Sequence, residues 1–402
     1  MIRYSTPFLL AALLSACQSG QDTADTSASA PDSSNVTLAS QEIKVNPQLV
    51  HKTDVKTLEL GASAPDFKLP GVDGKYHTLA EYQDAPVLAV IFTCNHCPTA
   101  QAYEERIKQL VTDYQSKGVQ VIAISPNSPL ALLYDELGYT DLGDTYEDMK
   151  MRAEDEDFNF PYLYDGDHQA VSIAYGPVAT PHAFVFDKDR KLRYVGRLDA
   201  SEKPGTAQAE DIRAALDDLL AGRDVANPQT KTFGCSTKWA WKNDMKEKVY
   251  NEWDAQEVTL ETIDEAGIQQ LLKNDTDKLR LINVWATWCG PCVVEYPEFV
   301  VMERMYNDRP FEFISISADK PEQKDKALKF LQKEHSAVEN YIFDKDDKYA
   351  LMEAVDPDWA GALPYTVLVE PGGKRVYSQQ GSIDPLELRR LIVNHPLIGR
   401  YY

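Results

Sequence analysis

Two Cys-x-x-Cys pairs, each set between an apolar run and a helical pattern, constrain this 402-residue chain more than any other feature. In the first half "APVLAVIFT" is a nearly continuous apolar run of the kind a buried parallel strand shows, and it leads into Cys94 to Cys97 and then "TAQAYEERIKQLVTDY". The second half repeats the plan with "LRLINVWAT", Cys289 to Cys292, and "VVEYPEFVVMERMYND", where Pro297 would kink the helix. Further strands, "VQVIAIS" and "FEFISIS", follow. Later, "ATPHAFVFDKDRKLRYVG" and "ALPYTVLVEPGGKRVYSQQG" each read as a proline, a strand, a turn, a second strand and a closing glycine. A terminal helix follows each, "AQAEDIRAALDDLLAG" and "DPLELRRLIVNH". The length suits two domains, each with its own core.

Strand, CxxC, helix, strand and then a proline opening a hairpin is the order of the thioredoxin fold, and both halves resemble that family. The expected fold class is therefore α/β, with two thioredoxin-fold domains in tandem, each a mixed sheet flanked by helices. From Cys97 to Pro181 is 84 residues and from Cys292 to Pro364 is 72, which leaves room for an added helix and strand in each copy. These are "YEDMKMRAEDEDF" with "FPYLYD", and "EQKDKALKFLQKEHS" with "NYIFD"; the arrangement is similar to peroxiredoxin-like and TlpA-like members. Boundaries are placed at 56–235 for the peroxiredoxin-like domain, 236–255 for a packed connector and 256–402 for the TlpA-like domain. An extra loop around "LALLYDELGYTDLGDT" either covers the first site or is a surface insertion.

A thiolate is the attacking species in disulfide exchange, and a helix N-terminus lowers a thiol's pKa. In a CxxC at such a start the first cysteine attacks and the second resolves the mixed disulfide, so Cys289 and Cys94 are the expected nucleophiles and Cys292 and Cys97 the resolving thiols. Zinc ribbons need two pairs close together, and a bridge within a four-residue loop is a poor staple. "WATWCGPC" resembles the TlpA and ResA group of membrane-anchored thiol-disulfide oxidoreductases. Asn283 stands where cytosolic thioredoxins carry a buried aspartate, and Glu295, one helical turn beyond Cys292, can take over proton transfer; the alternative is an exposed helix glutamate. The resemblance makes Pro364 and Pro181 cis-prolines that align an extended substrate strand, with Leu363 and Thr180 facing the sulfurs. Trp288, before the second pair, is assigned with them to substrate binding.

"FTCNHCP" lacks the tryptophan and the Gly-Pro centre, Leu88 replaces the buried acid, and Ala100 stands where a glutamate would. His96 is the nearest titratable group, and an imidazolium beside a thiolate makes a pair more oxidising, as in DsbA-like sites. "CPT" at Cys97 to Thr99 resembles the peroxidatic turn of peroxiredoxins, but Cys94 occupies the position of their Thr or Ser. His182, after Pro181, could join Cys94 and Cys97 around copper(I) or zinc, or simply open a strand. Cys235 has no partner in the sequence and reads as an inert thiol rather than a third redox centre.

The start, "MIRYSTPFLLAALLSACQSG", is too short an apolar run to span a bilayer and reads as a signal peptide over 1–16. Leu14-Ser15-Ala16-Cys17 resembles the lipobox of bacterial lipoproteins, which makes Cys17 a lipidation site, and Gln18 after it favours the outer membrane. Residues 17–55, rich in Ser, Thr, Ala and Asp, read as a solvated tether. With 63 acidic and 41 basic residues the net charge is -22, which repels phosphate backbones and argues against nucleic acid as a partner. The expected function is thiol-disulfide exchange with protein substrates at the periplasmic face of the envelope, reducing through CGPC with electrons from a membrane thiol donor. No cofactor is expected. Cytochrome c biogenesis is a task the TlpA resemblance implies. Alternatives are a thiol peroxidase in the first domain recycled by the second, and copper or other metal delivery by the first.

Overall fold

The computed structural model describes residues 43–401; the signal, Cys17 and most of the tether lie outside them. Among the described residues no helix is long and apolar enough to cross a membrane. Residues 43–50, counted with the tether by composition, lie against the first domain. Ile43 and Val45 pack on its core, and the Asn46 and Gln48 amides donate to Asp167 at 2.8 and 2.9 Å.

The first domain opens with a small hairpin, β1 (Lys68–Pro70) and β2 (Tyr76–Thr78). Its main strands are β3 (Val87–Phe92), β4 (Val119–Ser125), β5 (Tyr162–Tyr164), then β7 (His182–Phe186) and β8 (Leu192–Gly196), with the short β6 (Ala179–Thr180) before β7. The sheet order is β5-β4-β3-β7-β8, parallel among the first three and antiparallel from β3 to β7 to β8. β3 is apolar at every position because both faces are covered. Val87, Ala89 and Ile91 meet helices α1 (Pro98–Tyr114) and, later in the chain, α4 (Glu210–Leu220); Leu88, Val90 and Phe92 pack with Phe184 and with Tyr175 of α3 (Ala170–Tyr175). Helix α2 (Tyr146–Asp155), before β5, is the added helix that the spacing required.

After α4 the chain returns as β9 (Cys235–Ser236), which pairs antiparallel with β6, and then forms α5 (Asn243–Asp254). The second domain runs β10 (Glu261–Ile263), α6 (Glu265–Lys273), β11 (Leu279–Trp285), α7 (Gly290–Tyr306), β12 (Phe311–Ser317), α8 (Lys324–Lys333), β13 (Glu339–Phe343), α9 (Lys348–Val355), β14 (Tyr365–Val369), β15 (Arg375–Gln380) and α10 (Pro385–Asn394). Its sheet order is β10-β13-β12-β11-β14-β15, again parallel up to the CxxC strand and antiparallel beyond it. Helix α7 continues as one element through Pro297. Both halves are thioredoxin-like, and in both the CxxC motif follows the central strand that joins the parallel and antiparallel parts.

Candidate functional site

In the second domain β11 delivers the chain to Thr287, whose amide and hydroxyl donate to Asp319 at 2.9 and 2.6 Å. Ser317 Oγ holds the same carboxylate at 2.9 Å, so the end of β12 fixes the turn that carries Trp288 and Cys289. Cys289 is the N-cap of α7 and its sulfur accepts the Cys292 amide at 3.3 Å. The two cysteines form a disulfide, with Cys289 6% exposed beside Trp288 at 63%. The Leu363-Pro364 bond is cis, and Leu363 and Trp288 line one cleft together with Met352 and Trp359.

Glu295 is buried rather than a solvated helix residue. Its Oε2 accepts the Ile383 amide at 3.0 Å, while Oε1 is buried with no hydrogen-bond partner among the described residues. Burial outweighs that amide and the Ser382 hydroxyl and pushes the carboxyl from 4.5 up to about 7. An acid near neutrality, one helical turn from Cys292, suits proton exchange with a thiol. Asn283 on β11 donates to Thr366 Oγ1 at 3.1 Å and is a structural amide.

The first domain is arranged differently. Its helix begins at Pro98, so the N-cap is Cys97, the second cysteine, and not Cys94. The helix N-terminus that would favour a thiolate thus falls on Cys97, not on Cys94, the expected nucleophile. Cys97 Sγ accepts the Ala100 amide at 3.5 Å and the Cys235 amide at 3.4 Å, and its S–H is placed to donate to the Thr180 carbonyl at 3.4 Å. Burial opposes a thiolate there, but the Cys235 and Cys94 thiols, His96 and the Ala100 amide together hold Cys97 well below the ordinary thiol range. Cys94, 3.0 Å from Thr180 Oγ1, is pushed well above it by burial, by its hydrogen bond with the Cys97 sulfur and by the charge of Asp144. Both cysteines are free thiols and both are buried.

Asp144, at the end of the extra loop, organises this turn. Its Oδ1 accepts the amides of Asn95 and His96 at 2.9 and 3.1 Å, and its Oδ2 meets His96 Nδ1 at 2.6 Å and Asn127 Nδ2 at 2.7 Å. Burial opposes charge on both groups, yet the pair holds His96 above and Asp144 below their ordinary values. The loop thus covers the site. Reading the sequence alone misses Asp144, because it lies 48 residues beyond His96 and carries no motif.

His182 opens β7, the second of the two readings open to it, and the metal alternative does not assemble. Cys94, Cys97 and His182 do not gather as ligands. His182 shares a strand face with Phe184, on which its ring tilts, and receives the Val178 amide at 3.4 Å; burial lowers its pKa to about 4. The other face of β7, carrying Ala183 and Val185, is the one turned to α1. Among the described residues the group close enough to hold a metal is Cys94, His96 and Asp144, of which the last two are already paired. Cys235 is not an isolated thiol: it packs on Cys94, Cys97 and Ala100. The Thr180-Pro181 bond is cis, and Thr180 lies against both sulfurs.

Residues 60–195 match the AhpC/TSA family and residues 251–390 match the Redoxin family. The thiol-disulfide oxidoreductase ResA of Geobacillus thermodenitrificans (strain NG80-2) is 25% identical over 169 residues, 42% of this chain and 82% of ResA. A putative peroxiredoxin of Mycobacterium tuberculosis (strain CDC 1551 / Oshkosh) is 26% identical over 153 residues, 35% of this chain and 85% of that protein. Among solved structures, the hypothetical protein SMc02350 of Sinorhizobium meliloti 1021 is 36% identical, covers 47% of this chain and 98% of that chain, and superposes with a TM-score of 0.41.

Proposed function

From a chain built of two thioredoxin-like domains, one matching the AhpC/TSA family and one the Redoxin family, we propose a thiol-disulfide oxidoreductase whose second domain exchanges disulfides with protein substrates. The observation that carries this is the Cys289–Cys292 disulfide at the start of α7, next to the exposed Trp288 and its cleft, with the buried Glu295 one helical turn beyond Cys292. In the reducing direction the Cys289 thiolate attacks a substrate disulfide, the substrate S–S bond breaks, and a mixed disulfide forms. Glu295 takes the Cys292 proton. The Cys292 thiolate then attacks the Cys289 sulfur, releasing the reduced substrate and regenerating the disulfide.

Placement at the periplasmic face, lipid-anchored through Cys17 and favouring the outer membrane, belongs to this proposal and is supported by the lipobox-like sequence. A membrane thiol donor would re-reduce the pair, because an oxidising compartment supplies no soluble reductant. The test is reduction of a protein disulfide by the prereduced chain: Cys289→Ser abolishes it, Cys292→Ser traps the mixed disulfide, and full activity in Cys289→Ser would refute the reading.

A second reading, thiol peroxidase activity of the first domain, is favoured by Cys97 at the N-cap, its lowered pKa, and a site too enclosed for a folded protein disulfide. Sulfenic acid formation at Cys97 with hydrogen peroxide no faster than at free cysteine would remove it.

A further inference from the structure

Cys235 is brought to the first site by a device that disulfide exchange at Cys289 and Cys292 does not use. β9 pairs with β6 so that Cys235 lies opposite Thr180, the residue whose hydroxyl meets Cys94 and whose carbonyl meets Cys97. An extended segment of this chain therefore takes the strand edge beside the thiols, as an added peptide strand would. Gly234 makes the approach possible: its φ is +125°, and a Cβ there would stand 2.0 Å from the Thr180 carbonyl oxygen. The residues just beyond β9 are fastened down. Thr237 Oγ1 donates to the Pro177 carbonyl at 2.8 Å, the Lys238 amide to Asn127 Oδ1 at 2.9 Å, and the Ala240 amide to Gln169 Oε1 at 2.8 Å. The Cys235 amide itself points at Cys97 Sγ.

We propose that Cys235 is the redox partner of Cys97, so that the first domain cycles through a Cys97–Cys235 disulfide rather than one within its CxxC. The proposal rests on the first domain being redox-active. With a low-molecular-weight disulfide as oxidant, the Cys97 thiolate attacks one sulfur, the oxidant S–S bond breaks and one thiolate leaves. That thiolate takes the Cys235 proton. The Cys235 thiolate then attacks the Cys97 sulfur, the mixed S–S bond breaks and the second thiolate leaves. A protein thiolate and a thiol become one disulfide, and the oxidant disulfide becomes one thiol and one thiolate. The product ties the connector covalently over the site, where hydrogen bonds already hold it in the reduced form. The β6–β9 ladder is only two residue pairs, so the strand edge can open locally for the oxidant to enter.

The experiment uses the full chain, reduced, freed of reductant, equilibrated with oxidised glutathione, alkylated and digested with trypsin. Cys94 and Cys97 fall in one peptide, residues 76–106, and Cys235 in another, residues 232–238. The expected product is a link between these peptides that persists in Cys94→Ser and is lost in Cys97→Ser. In Cys235→Ser a Cys97–glutathione mixed disulfide accumulates instead. A bridge confined to peptide 76–106 overturns the pairing while leaving the domain redox-active. Full alkylation of all three thiols overturns the pairing together with the redox reading of the domain. Peptide mapping of the unmutated chain gives the answer even if a variant fails to fold.

Discussion

At the scale of single residues the two sites separate by which sulfur carries charge. In the first domain the imidazolium of His96 is sustained by Asp144, and it supports the Cys97 thiolate in turn. Asp144→Asn keeps an acceptor for the amides of Asn95 and His96 but removes the anion that sustains the imidazolium, so the Cys97 pKa rises. Ultraviolet titration of the reduced thiolate in a Cys289→Ser/Cys292→Ser background checks this, and an unchanged midpoint would refute it. In the second domain the buried Glu295 keeps its proton to about pH 7, whereas the unfolded chain gives it up near the ordinary 4.5. The folded form binds the extra proton in that window, so stability falls as pH rises from 4.5 through 7, by on the order of 1–2 kcal/mol after allowing for solvent screening. Glu295→Gln, unable to ionise, should match the parent's melting temperature at pH 5 and exceed it at pH 8, while slowing disulfide reduction about 10²-fold. The cysteine pairs and Glu295 were legible because their chemistry is local in sequence. Asp144 and Asp319 were not, because each reaches its turn from another element.

At the scale of elements, one proline explains why two similar motifs start their helices differently. Pro98 directly follows Cys97, and a residue before proline is driven out of the helical region; Cys97 accordingly has φ -76° and ψ 120° and caps the helix. In CGPC the proline lies between the cysteines, inside the first turn, and Cys289 caps instead. That signal stands in the sequence, but aligning the two pairs by their cysteines hides it. The repeated strands, the added helix and strand in each copy and the terminal helices were legible from apolar runs and periodicity. β9 was not, because a two-residue strand has no period and exists only through its partner. Its docking depends on Gly234, where any side chain collides with the Thr180 carbonyl. Gly234→Val should lift β9, raising the alkylation rate of Cys97 roughly tenfold and speeding amide exchange over residues 233–238. Unchanged exchange in that segment would mean that the strand tolerates the side chain.

At the scale of the molecule, the loop that closes the first site is also the joint with the second domain. Tyr306 of α7 donates to the Thr140 carbonyl at 3.2 Å, Tyr134 stacks with Tyr250 and Trp253, and Asp141 receives Arg390 at 3.1 Å and Arg400 at 2.6 Å from the end of the chain. Three residues after Asp141, Asp144 grips the CxxC turn. The composition of this loop gave no hint of that double role, because the arginines that meet it lie about 250 positions away. Burial would raise the Asp141 carboxyl, but Arg400 and Arg390 hold it below its ordinary value. A depressed carboxylate contributes stability above its unfolded pKa and loses it only as pH falls through the lower folded value, so the joint should be insensitive to pH across the neutral range. Asp141→Ala takes the carboxylate from Arg400, whereas Arg390 keeps Asp155 and Glu387, and since both arginines retain partial access to water the cost is about 2 kcal/mol. The expected result in a urea titration is a single cooperative transition for the parent and two separated transitions for Asp141→Ala, with Cys97 becoming accessible to alkylation in the first of them. If the variant instead unfolds in one transition with Cys97 still protected, the loop closes the first site independently of the second domain.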